Sequence, residues 1–187
     1  VIILFDGFDG TGKTTLAKEI ATRIDAALFA APSDGRLGTA IRAIQDQDPL
    51  NDYAMAYAYV ADQFDVEPRL RHALAASRHV VLDRHCMTSG PAYRPGVWGV
   101  LWQNLRVSQA FTKPDLGVVL TADAETIRSR LRIRDGQCPW RDPQIEQISA
   151  RIPEYASRFC RNHIVLDATA SIEDLAKQVI VAARSAV

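Results

Sequence analysis

Gly7-Phe8-Asp9-Gly10-Thr11-Gly12-Lys13-Thr14 follows the apolar run Val1-Ile2-Ile3-Leu4-Phe5 and precedes a stretch where Leu16, Ala17, Ile20, Ala21 and Ile24 recur at helical spacing. It matches G-x-x-x-x-G-K-[ST] at every fixed position, between an expected strand and an expected helix, the context in which that pattern has a mechanism. The run Val1–Phe5, stopped by Asp6-Gly7, reads as a strand buried on both faces. The glycines let the backbone curl until successive N–H groups face phosphate oxygens, and the helix N-terminus adds partial positive charge. In such a cradle Lys13 neutralises the β- and γ-phosphates and the Thr14 hydroxyl ligates Mg²⁺. Gly10, Thr11, Gly12 and Thr15 complete the expected set of triphosphate-binding residues. The alternative reading is an ordinary glycine-rich strand–helix turn.

Further strands are expected at Ala27–Ala31, His79–Asp83, Leu116–Leu120 and Ile164–Leu166, each followed by a segment of helical character. The helices are expected at Leu37–Gln45, from Asn51-Asp52 toward Ala61 or beyond, at Val97–Phe111, from Asp123 or Ala124 to Arg134, at Pro143–Cys160, and from Ser171 to Ala183. Pro68 reads as a break in, or restart of, the long helix after Asn51, and Asp135–Asp142 reads as a loop. Strands alternating with helices imply an α/β fold with a mostly parallel sheet covered on both faces. The 187 residues suit one domain, with no internal repeat or interdomain linker.

The 22 basic and 22 acidic residues cancel, which argues against non-specific nucleic-acid binding. Cys86, Cys138 and Cys160 lie far apart and fit neither a disulfide framework nor paired metal ligands. No apolar run reaches the roughly 18 residues of a membrane span and nothing resembles a signal peptide, so the default expectation is the cytoplasm.

Asp83 ends an apolar strand, where a parallel sheet delivers residues to the crevice at its carboxyl edge. There it could hold Mg²⁺ or accept a proton, or serve only as a turn residue. Arg84 could clamp an anionic substrate, or form a surface ion pair. Arg128, Arg130, Arg132 and Arg134 alternate along one helix, so Arg130 and Arg134 share a face. They could close over a triphosphate and stabilise charge during transfer, or make a solvated basic face. His85 reads as structural, and Tyr53, Tyr57 and Tyr59 as helix-packing residues, one of which could stack on a base. An Asn-Lys-x-Asp element for reading guanine is absent.

Together these stretches resemble the thymidylate kinase family of nucleoside monophosphate kinases across nearly the whole chain. The resemblance rests on Phe5–Thr15 with Asp9 inside the loop, on Pro32–Arg42, on Asp83-Arg84-His85 followed by Ala92-Tyr93, on Pro114-Asp115-Leu116, on Arg130-x-x-x-Arg134, and on Asp167-Ala168-Thr169. It implies a three-layer P-loop NTPase fold with a five-stranded parallel sheet, a helical lid at about residues 130–145, ATP with Mg²⁺ as donor, and a small nucleotide acceptor. It further implies Asp9 near the acceptor sugar, Arg84 near the acceptor phosphate, Tyr59 against the base, Arg130 by the adenine, and Arg36 or Arg42 assisting with phosphate. A homodimer is a candidate assembly on the same ground. The chain departs from the family on the acceptor side. Gln63 stands where the family carries an arginine in the long helix, and Tyr93-Arg94 where it carries Tyr-Gln. One extra residue separates Arg84 from Tyr93. The lid's Arg-Gly is Arg134-Asp135, followed by Gln137-Cys138-Pro139-Trp140. A glutamine offers both donor and acceptor and could read a different base edge.

The expected chemistry is in-line transfer of a γ-phosphoryl group, with Lys13, Mg²⁺ and the lid arginine Arg134 supplying charge and Arg84, Tyr93 and Asp9 positioning the acceptor. Asp83 would ligate the metal alongside Thr14, or act as base toward a hydroxyl acceptor. A deoxynucleoside kinase of the same fold, and an ATP-binding regulatory module without turnover, are the competing readings.

Overall fold

The computed structural model describes residues 1–47, 51–76, 79–105 and 109–186. The order of elements is β1 (Ile2–Gly7), α1 (Lys13–Arg23), β2 (Ala27–Ala30), α2 (Arg36–Gln47), α3 (Asp52–Ala75), β3 (Val80–Asp83), α4 (Cys86–Tyr93), α5 (Pro95–Leu105), β4 (Leu116–Thr121), α6 (Ala124–Asp135), α7 (Asp142–Phe159), β5 (Asn162–Asp167) and α8 (Ile172–Ser185). The strands form one parallel sheet in the order β2-β3-β1-β4-β5.

Alternation along β1 sorts the core onto two sheet faces. Ile2 and Leu4, with Val80 and Leu82, pack under Ala56, Val60 and Leu70 of α3, Met87 of α4 and Trp98 and Leu101 of α5. Ile3 and Phe5, with Val81, Val118 and Leu120, pack under Leu16, Ala17 and Ile20 of α1 and Leu175, Ala176 and Val179 of α8. Both faces are therefore covered, the three-layer α/β arrangement that the alternating pattern implied. β1 sits at the centre, and every residue from Ile2 to Gly7 is buried.

Helix starts follow local chemistry. The side chains of Asn51, Asp123 and Ser171 accept the backbone N–H of Ala54 (3.0 Å), Thr126 (2.6 Å) and Asp174 (3.1 Å), relieving donors that the first turn leaves unpaired. Two expectations need correction. α3 does not break at Pro68 but continues to Ala75, because Pro68 lies on the exposed face while Val66, Leu70 and Ala73 stay buried on the other. The Phe64 carbonyl freed by the proline belongs to that exposed side, where water can replace the lost bond. Arg84 is followed by α4, a helix outside those expected, capped by His85, whose Nδ1 accepts the Met87 N–H at 3.1 Å. The helix expected over Val97–Phe111 starts earlier, at Pro95, and is described to Leu105; residues 106–108 lie outside the described residues, and Phe111 is in a bend.

Candidate active site

In the parallel register Phe5 of β1 lies beside Asp83 of β3, so the loop leaving β1 and the residues leaving β3 emerge side by side. The loop turns tightly. A Cβ on Gly7 would stand 2.5 Å from the Leu120 carbonyl oxygen, and Gly12, at φ 84°, takes a left-handed conformation before α1 begins. Thr11 is buried and its Oγ1 donates to the Phe8 carbonyl at 2.8 Å, while Thr14 and Thr15 stand exposed in the first turn of α1.

Three charges meet in this loop. Asp9 Oδ1 accepts from Arg84 Nη2 at 2.6 Å and lies 3.4 Å from Lys13 Nζ, which also donates to the Phe8 carbonyl at 3.3 Å. Burial would raise the Asp9 pKa, but attraction to Arg84 and Lys13 outweighs it and holds the carboxyl below its usual range. Lys13 is pushed down to about 8, by burial first and the nearby Arg84 second, against the pull of Asp9. For Arg84 the neighbouring acids overcome burial and raise its pKa further. Arg84 is also held at φ 72°, a conformation that a non-glycine residue adopts at a cost, with its N–H donating to the Phe5 carbonyl at 2.8 Å.

Some polar atoms here are left without partners. Asp83 Oδ1, Arg84 Nε and the Tyr93 hydroxyl are buried with no hydrogen-bond partner among the described residues. Desolvation raises the Tyr93 pKa, so the phenol stays protonated. An orphaned carboxylate oxygen on Asp83 and the exposed Thr14 hydroxyl are hard oxygen donors beside a phosphate cradle, and they fit Mg²⁺.

Of the residues expected on the acceptor side, Asp9, Tyr59, Arg84 and Tyr93 line a cavity of about 310 Å³. Asp9 and Arg84 form its phosphate-loop end, while Met55, Ala56 and Tyr59 of α3 and Tyr93 of α4 line its walls. The Tyr59 hydroxyl accepts from Gln45 Nε2 at 2.7 Å. Tyr93 stacks on Phe8 at 5.6 Å between centroids, and Trp140 meets Phe8 edge-on at 5.5 Å. The 136–141 loop is thereby packed onto the phosphate-binding loop and lines the cavity through Trp140. Residues to which the sequence reading gave no role matter here. Besides Trp140, Asp6 is fully enclosed and accepts the Gly7 N–H (2.8 Å), the Ser89 hydroxyl (2.9 Å) and the Thr88 hydroxyl, tying β1 to α4. Desolvation outweighs these bonds and raises its pKa. Its only sequence signal was an acid at the end of an otherwise apolar strand.

Other expected site residues sit elsewhere. Gln63 is buried one turn beyond Tyr59 on the same side of α3 and does not line the cavity, whose α3 wall runs from Asp52 to Tyr59. Arg36 is exposed at the start of α2 and lies off the cavity, while Arg42 donates to the Pro32 (2.8 Å) and Ser33 (2.6 Å) carbonyls, shaping that turn. Arg130 bridges the Ala168 carbonyl at 2.9 Å and the Gly10 carbonyl at 3.4 Å, joining the loop after β5 to the cradle. Arg134 points instead at its neighbour Asp135, with two bonds of 2.7 Å. His85 is buried against Phe111 and Phe159, and desolvation lowers its pKa to about 3, so it is neutral and structural. No helix among the described residues is long and apolar enough to cross a membrane.

The thymidylate kinase family model matches residues 5–179. A probable thymidylate kinase from Methanocaldococcus jannaschii is 29% identical over 183 residues, covering 96% of this chain and 94% of that protein. The thymidylate kinase of Xanthomonas euvesicatoria pv. vesicatoria is 31% identical over 193 residues, covering 98% and 84%. With a probable thymidylate kinase from Methanococcus vannielii, 30% identity spans 134 residues, 71% of this chain and 66% of that protein. The solved thymidylate kinase of Candida albicans shares the fold at a TM-score of 0.74 and 19% identity, covering 99% of this chain and 92% of that one. A cradle matching at every fixed position, a five-stranded parallel sheet and a family match over almost the full length agree: the chain belongs to the thymidylate kinase family and is a nucleotide kinase, a phosphotransferase.

Proposed function

We propose that the protein transfers the γ-phosphoryl group of ATP to a nucleoside monophosphate seated between α3, α4 and the 136–141 loop, thymidylate being the acceptor for which its relatives are named. The observation that carries this reading is Arg84. It stands where the phosphate loop meets the aromatic cavity, donates from Nη2 to Asp9, and keeps a buried Nε with no partner among the described residues. A buried, unpaired guanidinium donor favours an acceptor that brings a phosphate, which it can bind with a charge-assisted bond. A neutral nucleoside would leave that donor unsatisfied. The cavity, about 310 Å³, lies at the lower end of the size of small-ligand sites, suited to one mononucleotide.

Transfer to a phosphate oxygen needs positioning and charge stabilisation rather than a strong base. The loop N–H groups and Lys13 hold the donor's β- and γ-phosphates, and Arg84 aims the acceptor oxygen at them. Asp9 orients Arg84 and lies close enough to the cavity to meet the acceptor sugar. Thr14 and Asp83 would hold Mg²⁺, which when bound neutralises phosphate charge. Arg130 flanks the donor side, and Arg134 contributes only once it leaves Asp135.

The test is ADP formation from MgATP with a panel of deoxy- and ribonucleoside monophosphates and the matching nucleosides. Turnover with a monophosphate and none with its nucleoside is expected; preference for the nucleoside would overturn the reading.

A further inference from the structure

Trp140 carries the 136–141 loop onto the phosphate loop, and the transfer chemistry above gives its ring no task. Phe8 of the phosphate loop is fully buried and meets two rings from distant parts of the chain. It stacks on Tyr93 of α4 at 5.6 Å, while Trp140 meets Phe8 edge-on at 5.5 Å and Tyr93 edge-on at 5.9 Å. The three rings close a triangle, and both Trp140 contacts have the edge-to-face geometry that ring quadrupoles favour. Tyr93 and Trp140 line the cavity. Asp9 follows Phe8 in the chain, and Tyr93 lies close enough to Arg84 and Asp9 to feel both charges. The triangle therefore stands beside the phosphate end of the cavity.

The lid region is docked at two points and free between them. α6 rests on the phosphate loop through the buried Ile127 and Leu131, so closely that a Cβ on Gly10 would stand 3.2 Å from the Ile127 carbonyl oxygen. Every residue from Arg132 to Gln137 is then exposed, Arg134 among them. The chain turns inward again at Cys138 and Trp140, just before α7. An arm bearing Arg134 thus projects between Leu131 on one side and Trp140 on the other. It can swing from Asp135 toward the donor without lifting Trp140 off the cavity.

We infer that Trp140 is a positioning residue for the acceptor. It docks the lid loop before any nucleotide arrives, holds Tyr93 against Phe8, and keeps the acceptor half of the site formed while the donor arm is open. This rests on the nucleoside monophosphate reading. Donor affinity depends instead on the loop N–H groups and Lys13. A ring that only filled space would change the affinities for donor and acceptor together; a ring with this role changes the acceptor's alone.

The experiment compares wild type, Trp140→Phe and Trp140→Leu, varying MgATP and the monophosphate that wild type uses best in the panel above, dTMP being the first tried. Trp140→Leu keeps apolar bulk and loses both edge contacts, so the acceptor KM should rise about tenfold while kcat and the ATP KM stay within about twofold. Trp140→Phe keeps a ring and should recover most of that loss. Fluorescence supplies a measurement that needs no impaired variant. Subtracting the spectrum of Trp140→Phe from that of wild type isolates the Trp140 emission from the other two tryptophans of the sequence. The acceptor alone should shift that emission, and MgATP alone should leave it in place. An acceptor KM unmoved in Trp140→Leu, KM values for acceptor and ATP raised by equal factors, or a Trp140 emission insensitive to the acceptor overturns the role of Trp140 alone. Wild type inactive on every monophosphate overturns that role together with the reading beneath it.

Discussion

Asp9→Asn isolates the charge that joins the phosphate loop to β3. The amide keeps the shape and can still accept from Arg84, so the variant removes the negative charge and little else. Two cations then share a largely buried site: Lys13 and Arg84 have side chains 7% and 22% exposed. At an effective dielectric near 20, a pair of unit charges about 4 Å apart is worth about 4 kcal/mol. Part of that is offset because the variant no longer desolvates a carboxylate. The Asp9 side chain is also 33% exposed, so solvent screening reduces the net loss to about 2–3 kcal/mol. For a chain of this length that corresponds to a fall of about 4–12 °C in Tm. Thermal unfolding at pH 7 with and without MgATP measures it. The triphosphate supplies the missing negative charge, so the variant should gain more from MgATP than wild type does. The pH sign is also defined. Because the folded Asp9 pKa is depressed, its contribution is present above about 4, the unfolded carboxylate value, and is lost as pH falls through the folded pKa. The variant should lack that part of the acid destabilisation. An unchanged Tm, or equal ATP stabilisation of both proteins, would refute the three-charge arrangement.

Three other measurements follow from single features. Lys13 titrates near 8 in the free protein, and a bound triphosphate would raise it, so ATP binding takes up a proton above that pH. The Kd for ATP should be flat from pH 7 to 8 and then rise by up to about tenfold per pH unit; a constant Kd to pH 9.5 contradicts the buried-lysine reading. Tyr93→Phe removes a buried hydroxyl without a partner, and should stabilise the ligand-free protein by about 1 kcal/mol in chemical denaturation, a loss of stability being the contrary result. Pro68→Ala restores a backbone donor inside a continuous exposed helix face and should add about 1–3 kcal/mol; no gain would mean α3 is interrupted there.

The phosphate cradle could be read without coordinates because its parts are contiguous. Gly7, Gly12, Lys13 and Thr14 lie within one turn, and their chemistry depends on local backbone geometry. The strands were legible for a related reason: a segment buried on both faces must be apolar throughout, as β1 and β4 nearly are. α4 was not legible, because Cys86–Tyr93 contains Gly90 and Pro91 and has no clear periodic stripe; packing against β1 and α7 holds it. Pro68 misled because propensity treats every helix position alike, whereas its effect depends on which side faces water.

The sequence alone determined the donor half of this enzyme: a strand, a glycine-rich turn, a lysine and a hydroxyl, with the alternation that makes the sheet parallel. Only the tertiary structure assembled the cavity proposed for the acceptor. Asp9 and Arg84 are separated by 75 residues and meet because β1 and β3 are register neighbours. Trp140 closes on Phe8, and Asp52 finds Arg94, for equally non-local reasons. Gln63 lies off the site because the cavity's α3 wall ends at Tyr59, one turn before it. Local chemistry follows chain order, but a cavity is assembled from side chains whose proximity is set by strand order and helix packing.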